Sequence, residues 1–174
     1  MKNSLGVAVI LGATLLLGCP AAASAGGSAG RWSWPLPAPH PIVGGFIAPA
    51  NPYGSGHRGI DISTAAVPVA AAVTVSAPAD GVVHFVGMVA GRPVISLRHA
   101  DGLVSSYEPV QSQLTSGAVV VRGEPIGILL AGHCEQTCLH FGVRRYGEYV
   151  SPLNYLGDIP RSVLLPTRQL SPQR

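Results

Sequence analysis

Between about residues 42 and 156 the chain offers only short apolar or β-branched runs, and no amphipathic helix longer than two turns stands out. Val67-Pro68-Val69, Thr74-Val75 and the runs 81–86, 94–99, 103–107, 118–121, 126–130 and 139–143 are of this kind, separated by Gly, Asp, Asn and Pro. β-branched and aromatic side chains suit a pleated, half-buried surface. Their recurrence at these intervals predicts an all-β fold, a compact antiparallel sandwich or barrel. Asp80-Gly81, Asp101-Gly102 and Gly123-Glu124 fall where hairpin turns are needed. No fixed period recurs, which excludes a solenoid or propeller.

With 174 residues, 47% of them hydrophobic, the chain suits one domain with a real core. Met1-Lys2-Asn3, an apolar stretch over 5–17 and Ala23-Ser24-Ala25 have the three-part form of a secretory signal peptide, with cleavage expected after Ala25. The apolar stretch is too short for stable membrane insertion. A competing reading takes Leu16-Leu17-Gly18-Cys19 as a lipobox that leaves Cys19 lipidated; Pro20 directly after it speaks against this. Residues 26–40 read as a leader whose Trp32, Trp34 and Leu36 pack on the domain as an extended strap. Residues 41–158 read as the domain and 159–174 as a loose tail. Without the signal peptide the only lysine is gone, and ten arginines face eight acidic residues, a net charge of +2. That mild excess suits an anionic wall and is far too weak for nucleic acid. In an exported chain the two remaining cysteines, Cys134 and Cys138, are expected to form a local disulfide; a role as metal ligands is the alternative.

Gly56-His57-Arg58-Gly59-Ile60-Asp61-Ile62 puts an imidazole and a carboxylate four residues apart in a segment whose glycines and β-branched residues favour a loop running into a strand. Both groups are ordinary zinc ligands, and the third ligand must come from elsewhere. The candidate is His140, in Cys138-Leu139-His140-Phe141-Gly142. Strand parity turns it away from Leu139 and Phe141, towards a groove. Arg58, beside a ligand, reads either as an exposed turn residue or as a contact to a substrate carboxylate. Tyr107 reads either as a groove hydroxyl or as a half-buried cross-strand residue. His84 is expected on a wall or outer face, and His40 in solvent.

These segments, GHRGID, then Pro68-Val69, Ala77-Pro78-Ala79-Asp80-Gly81, His99-Ala100-Asp101-Gly102, Val121-Arg122-Gly123-Glu124-Pro125, LHFGVR and Pro152-Leu153, in that order over about 41–156, resemble the lysostaphin-type, LytM-like zinc metallopeptidases. The resemblance implies a β fold with a groove, one zinc ion, and cleavage of peptide bonds in peptidoglycan stem peptides or cross-bridges by a monomeric, wall-associated enzyme. It places the zinc on His57, Asp61 and His140 and the assisting catalytic histidine on His99. The chain departs from the family where most active members have a histidine two residues before the last ligand: here that position is Cys138. In one reading a Cys134–Cys138 bridge folds the loop back so that His133 supplies the missing catalytic imidazole. In another the chain is a weakened module that binds wall or regulates a hydrolase.

Overall fold

Alternation along one strand sets the architecture. In β10, Cys138–Arg145, Leu139, Phe141 and Val143 are fully buried, while His140 and Arg144, at the alternate positions, reach the opposite face. The structure, a computed structural model, describes residues 32–51, 53–65, 72–100 and 102–157. The signal peptide, Cys19, the Val67-Pro68-Val69 run and the tail 159–174 lie outside the described residues.

The larger, eight-stranded sheet runs in the order β1 (Ile42–Gly44), β2 (Gly59–Ser63), β10, β6 (Leu103–Glu108), β5 (Arg92–Arg98), β4 (Gly81–Val89) and β8 (Val119–Val120), and β11 (Glu148–Val150) also pairs with β10. A three-stranded sheet holds β3 (Thr74–Ser76), β9 (Pro125–Leu129) and β7 (Val110–Gln111). Every strand pairing in the two sheets is antiparallel. The all-β expectation therefore holds. The one helical element among the described residues is a 3-10 turn, Pro152–Asn154, and none is long and apolar enough to cross a membrane.

Ile60, Ile62, Ile95, Leu97, Tyr107, Leu139, Phe141 and Val143 form the inner face of the large sheet. They share a core with Val75, Val110 and Ile126 of the small one. Burying each large side chain contributes roughly 1.5–3 kcal/mol. The strap expectation also holds: Trp32 and Leu36 are buried in this core, and the backbone N–H of Trp32 donates to the Tyr155 carbonyl at 2.8 Å. The β4–β5 hairpin turns at Ala90 and Gly91, whose φ values of 48° and 82° are both left-handed. A sequence scan for Asp-Gly and Asn-Gly pairs passes over that turn.

Candidate metal centre

Register brings the distant segments together. β2 and β10 pair so that Asp61 lies opposite His140, and His140 Nδ1 stands 2.8 Å from Asp61 Oδ1. His57, just before β2, is held by an isolated bridge to Ile47, which brings its Nε2 to 3.2 Å from the same oxygen. Close backbone approach requires glycine on both sides. A Cβ on Gly44 would collide with Asp61 Oδ2, and one on Gly59 would lie 2.7 Å from His140 Nε2.

The loop before β10 adds a fourth group. Cys134 and Cys138 form a disulfide with their Cα atoms 5.8 Å apart, so neither sulfur is available as a ligand. Cys138 is buried. His133, next to the bridge, places Nε2 at 3.1 Å from Asp61 Oδ1. Ligand atoms of His57, Asp61, His133 and His140 all lie within 4.8 Å of one another.

Protons decide what this cluster can bind. His57 Nδ1 lies 2.6 Å from the Gly45 carbonyl oxygen, which can only accept, so Nδ1 donates and the Nε2 lone pair of a neutral ring faces Asp61. His133 bridges two carboxylates, with Nε2 hydrogen-bonded to Asp61 Oδ1 at 3.1 Å and Nδ1 3.4 Å from Glu108 Oε1. Three ring nitrogens thus converge on one carboxylate oxygen, an acceptor, and a cation at their meeting point would replace the protons that otherwise bridge them. Burial, only partly offset by Asp61, lowers the pKa of His140 from the usual imidazole value and favours the neutral ring that a metal needs. Three imidazoles and a carboxylate are a donor set that fits zinc.

His99 is not part of this cluster, contrary to the expectation from the sequence. Its backbone N–H bonds to the Leu103 carbonyl, whereas His140 pairs with Glu108, five residues further along β6. At about 3.3 Å per residue the separation is roughly 17 Å. The His99 ring packs on Trp32 with centroids 4.5 Å apart. Its Nδ1 donates to the Asp80 carbonyl at 2.8 Å, and its Nε2 accepts from Ser105 Oγ at 2.8 Å. Ser105 in turn takes a hydrogen bond from Tyr107, 2.7 Å away. Tyr107 is wholly buried and offers nothing to the groove. His84 is exposed, beside Arg98 at 2.9 Å, as expected. His40 stacks on Trp34 with ring centroids 4.3 Å apart instead of standing in solvent.

Sequence reasoning missed Glu108. It faces His140 across the β6–β10 pair and is engaged by both Arg92 and His133. Its signal was parity alone, since Ser106 and Glu108 alternate with buried Ser105 and Tyr107. A cleft of about 480 Å³ opens beside His140, lined among others by Arg58, Phe85, Val94, Glu108, Arg144 and Tyr149.

Residues 55–152 match the family described as Peptidase family M23. An uncharacterized protein of Mycobacterium tuberculosis is 40% identical over 138 residues, which is 75% of this chain and 53% of that protein. The chain thus spans about half the length of the curated relatives it first matches. Among solved structures, a zinc containing peptidase from Vibrio cholerae is similar with a TM-score of 0.55 and 25% identity, over 75% of this chain and 41% of that one. The catalytic domain of a prophage-encoded M23 protein from Enterococcus faecalis has a TM-score of 0.56 over 72% of this chain and 98% of its own; at 22% identity it shows a shared fold.

Proposed function

The chain belongs to peptidase family M23, and from that premise we propose that it is an exported zinc metalloendopeptidase that hydrolyses peptide bonds in peptidoglycan stem peptides or cross-bridges. The observation that carries this reading is the meeting of His57, His133 and His140 on one oxygen of Asp61. His57, Asp61 and His140 would hold the zinc. When bound, zinc supplies a Lewis acid for the scissile carbonyl and lowers the pKa of its water towards neutrality. His133 is the assisting imidazole. Its Nε2 takes a proton from the attacking water and passes it to the leaving amine, while Glu108 at Nδ1 holds the ring's tautomer and orientation. The cleft beside His140 receives the peptide.

A second reading is favoured by the disulfide at Cys138 and by the distance of His99, which leave His133 as the one imidazole near the metal ligands among the described residues. With His133 as a fourth ligand the coordination shell would be closed, and the protein would bind wall without cutting it. Zinc content of the purified mature chain, followed by release of new amino groups from peptidoglycan with and without a chelator, separates the two. Chelator-sensitive release supports the peptidase; bound zinc with no release from any wall preparation supports the binding module. A chain that takes up no zinc when metal is ample refutes both.

A further inference from the structure

We propose that reduction of the Cys134–Cys138 bridge opens a second metal site, in which both sulfurs and the His133 ring hold a thiophilic divalent cation of the zinc type. Donor atoms of His133, Cys134 and Cys138 lie within 4.8 Å of one another. Donors on a tetrahedral zinc stand about 3.3–3.8 Å apart at bond lengths of about 2.0–2.3 Å, so small side-chain rotations bring the three onto one ion. Two thiolates and an imidazole are a donor set that suits zinc and not calcium or magnesium, and water takes the remaining position.

The fold fixes one sulfur and leaves the other free to turn once the bridge is open. Cys138 begins β10 opposite Ser63. The Thr137 carbonyl beside it accepts from the Thr64 backbone N–H at 3.1 Å and from the Thr64 hydroxyl at 2.9 Å. None of these contacts needs the disulfide. Cys134 lies outside the strands and is followed by exposed Glu135 and Gln136. It is half-buried where Cys138 is buried, so its sulfur is the one open to attack. A thiolate of a dithiol reductant attacks Cys134 Sγ; the S–S bond breaks, and its electron pair leaves on Cys138 Sγ, which takes up a proton. The second thiol of the reductant then displaces Cys134, and the reductant ends as a disulfide, two electrons and two protons having moved to the protein. Metal binding returns the thiol protons to solvent. His133 is common to both clusters. In the oxidised chain its Nε2 stands 3.1 Å from Asp61 Oδ1; drawn to the sulfurs, the ring leaves the first centre. On the peptidase reading, the reduced and loaded protein then turns over wall peptide as slowly as His133→Ala.

The test uses the mature protein with cobalt(II) as the metal, because sulfur-to-cobalt charge transfer gives an intense near-ultraviolet band that nitrogen and oxygen ligands do not. The protein is reduced with a phosphine, which takes oxygen from water to become its oxide, and is desalted without air. Reduced protein is expected to bind one more cobalt ion than oxidised protein and to show the band, and reoxidation reverses both. Cys134→Ser and Cys138→Ser abolish the band. Alkylating the reduced parent does the same without a substitution, which guards against a folding defect in the variants. His133→Ala loses the additional ion at a cobalt concentration that fills the parent. No band in the reduced parent, a band with no additional ion, or full occupancy in His133→Ala each overturns the site. Binding is read without turnover, so a failure of the peptidase reading shows itself separately, as wall digests by oxidised protein that are insensitive to chelator.

Discussion

Replacing Cys134 and Cys138 by serine should release His133 while leaving the other three groups in place. His57, Asp61 and His140 are fixed by β2, β10 and the bridge to Ile47, whereas His133 directly precedes the loop that the disulfide closes. For a bridge across a sequence separation of 4, the chain-entropy relation gives a loop-closure term of about 2 kcal/mol at 25 °C, equivalent to roughly a 30-fold change in how often the loop occupies its folded position. The double-serine protein should therefore lose up to about 30-fold in turnover of cross-linked wall peptide, approaching His133→Ala. Its zinc affinity, measured by competition with a chromophoric chelator, should stay within about fivefold, because three ligands, two on strands and His57 on the bridge beside them, suffice to hold the ion. Full turnover in the double-serine protein together with slow turnover in His133→Ala would show that the bridge does not position the ring. Unchanged turnover in His133→Ala would refute its catalytic role outright.

Phe141→Ala removes a fully buried ring stacked 5.3 Å from Tyr107 and should cost about 3–5 kcal/mol in urea unfolding; a loss below 1 kcal/mol would contradict the packing described. Gly44→Ala drives a Cβ into Asp61 Oδ2 and should weaken zinc binding by about tenfold or more, read by the same chelator competition; unaltered affinity would mean that β1 yields freely. Glu108→Gln keeps the shape but removes the charge facing His133 Nδ1, and a fall in kcat of about tenfold with little change in KM is expected; a change in KM alone would place Glu108 in binding instead. Burial lowers the His140 pKa, so the folded chain binds fewer protons there than the unfolded chain. This contribution to stability is present above about pH 6.5 and is lost as pH falls through the lower folded value. Metal-free protein should accordingly melt at lower temperature at pH 5 than at pH 7, and His140→Gln should flatten that dependence.

Much of the fold and part of the site could be read in the residues, and the reason is periodicity. A period of two hides Leu139, Phe141 and Val143 and turns His140 to the other face, so one strand reveals both a core and a candidate ligand before any partner strand is known. His57 and Asp61 were legible because two glycines and two isoleucines allow a loop-to-strand transition and little else. His99 misled because family likeness assigns a role by order along the chain, while distance from the candidate metal cluster depends on register. Five residues along β6 separate its backbone from the site, and both ring nitrogens are already hydrogen-bonded.

Local sequence determined the elements: short strands, their buried faces, a strap of tryptophans and a disulfide between near neighbours. Tertiary structure alone decided which polar groups meet. The pairing of β2, β10 and β6 sets Asp61, His140 and Glu108 side by side, the bridged loop brings in His133, and β11 carries Tyr149 to Arg144. Alternation assigns each side chain to a face of the sheet, but only strand register assigns it a neighbour. Metal binding and catalysis depend on neighbours a few ångströms apart.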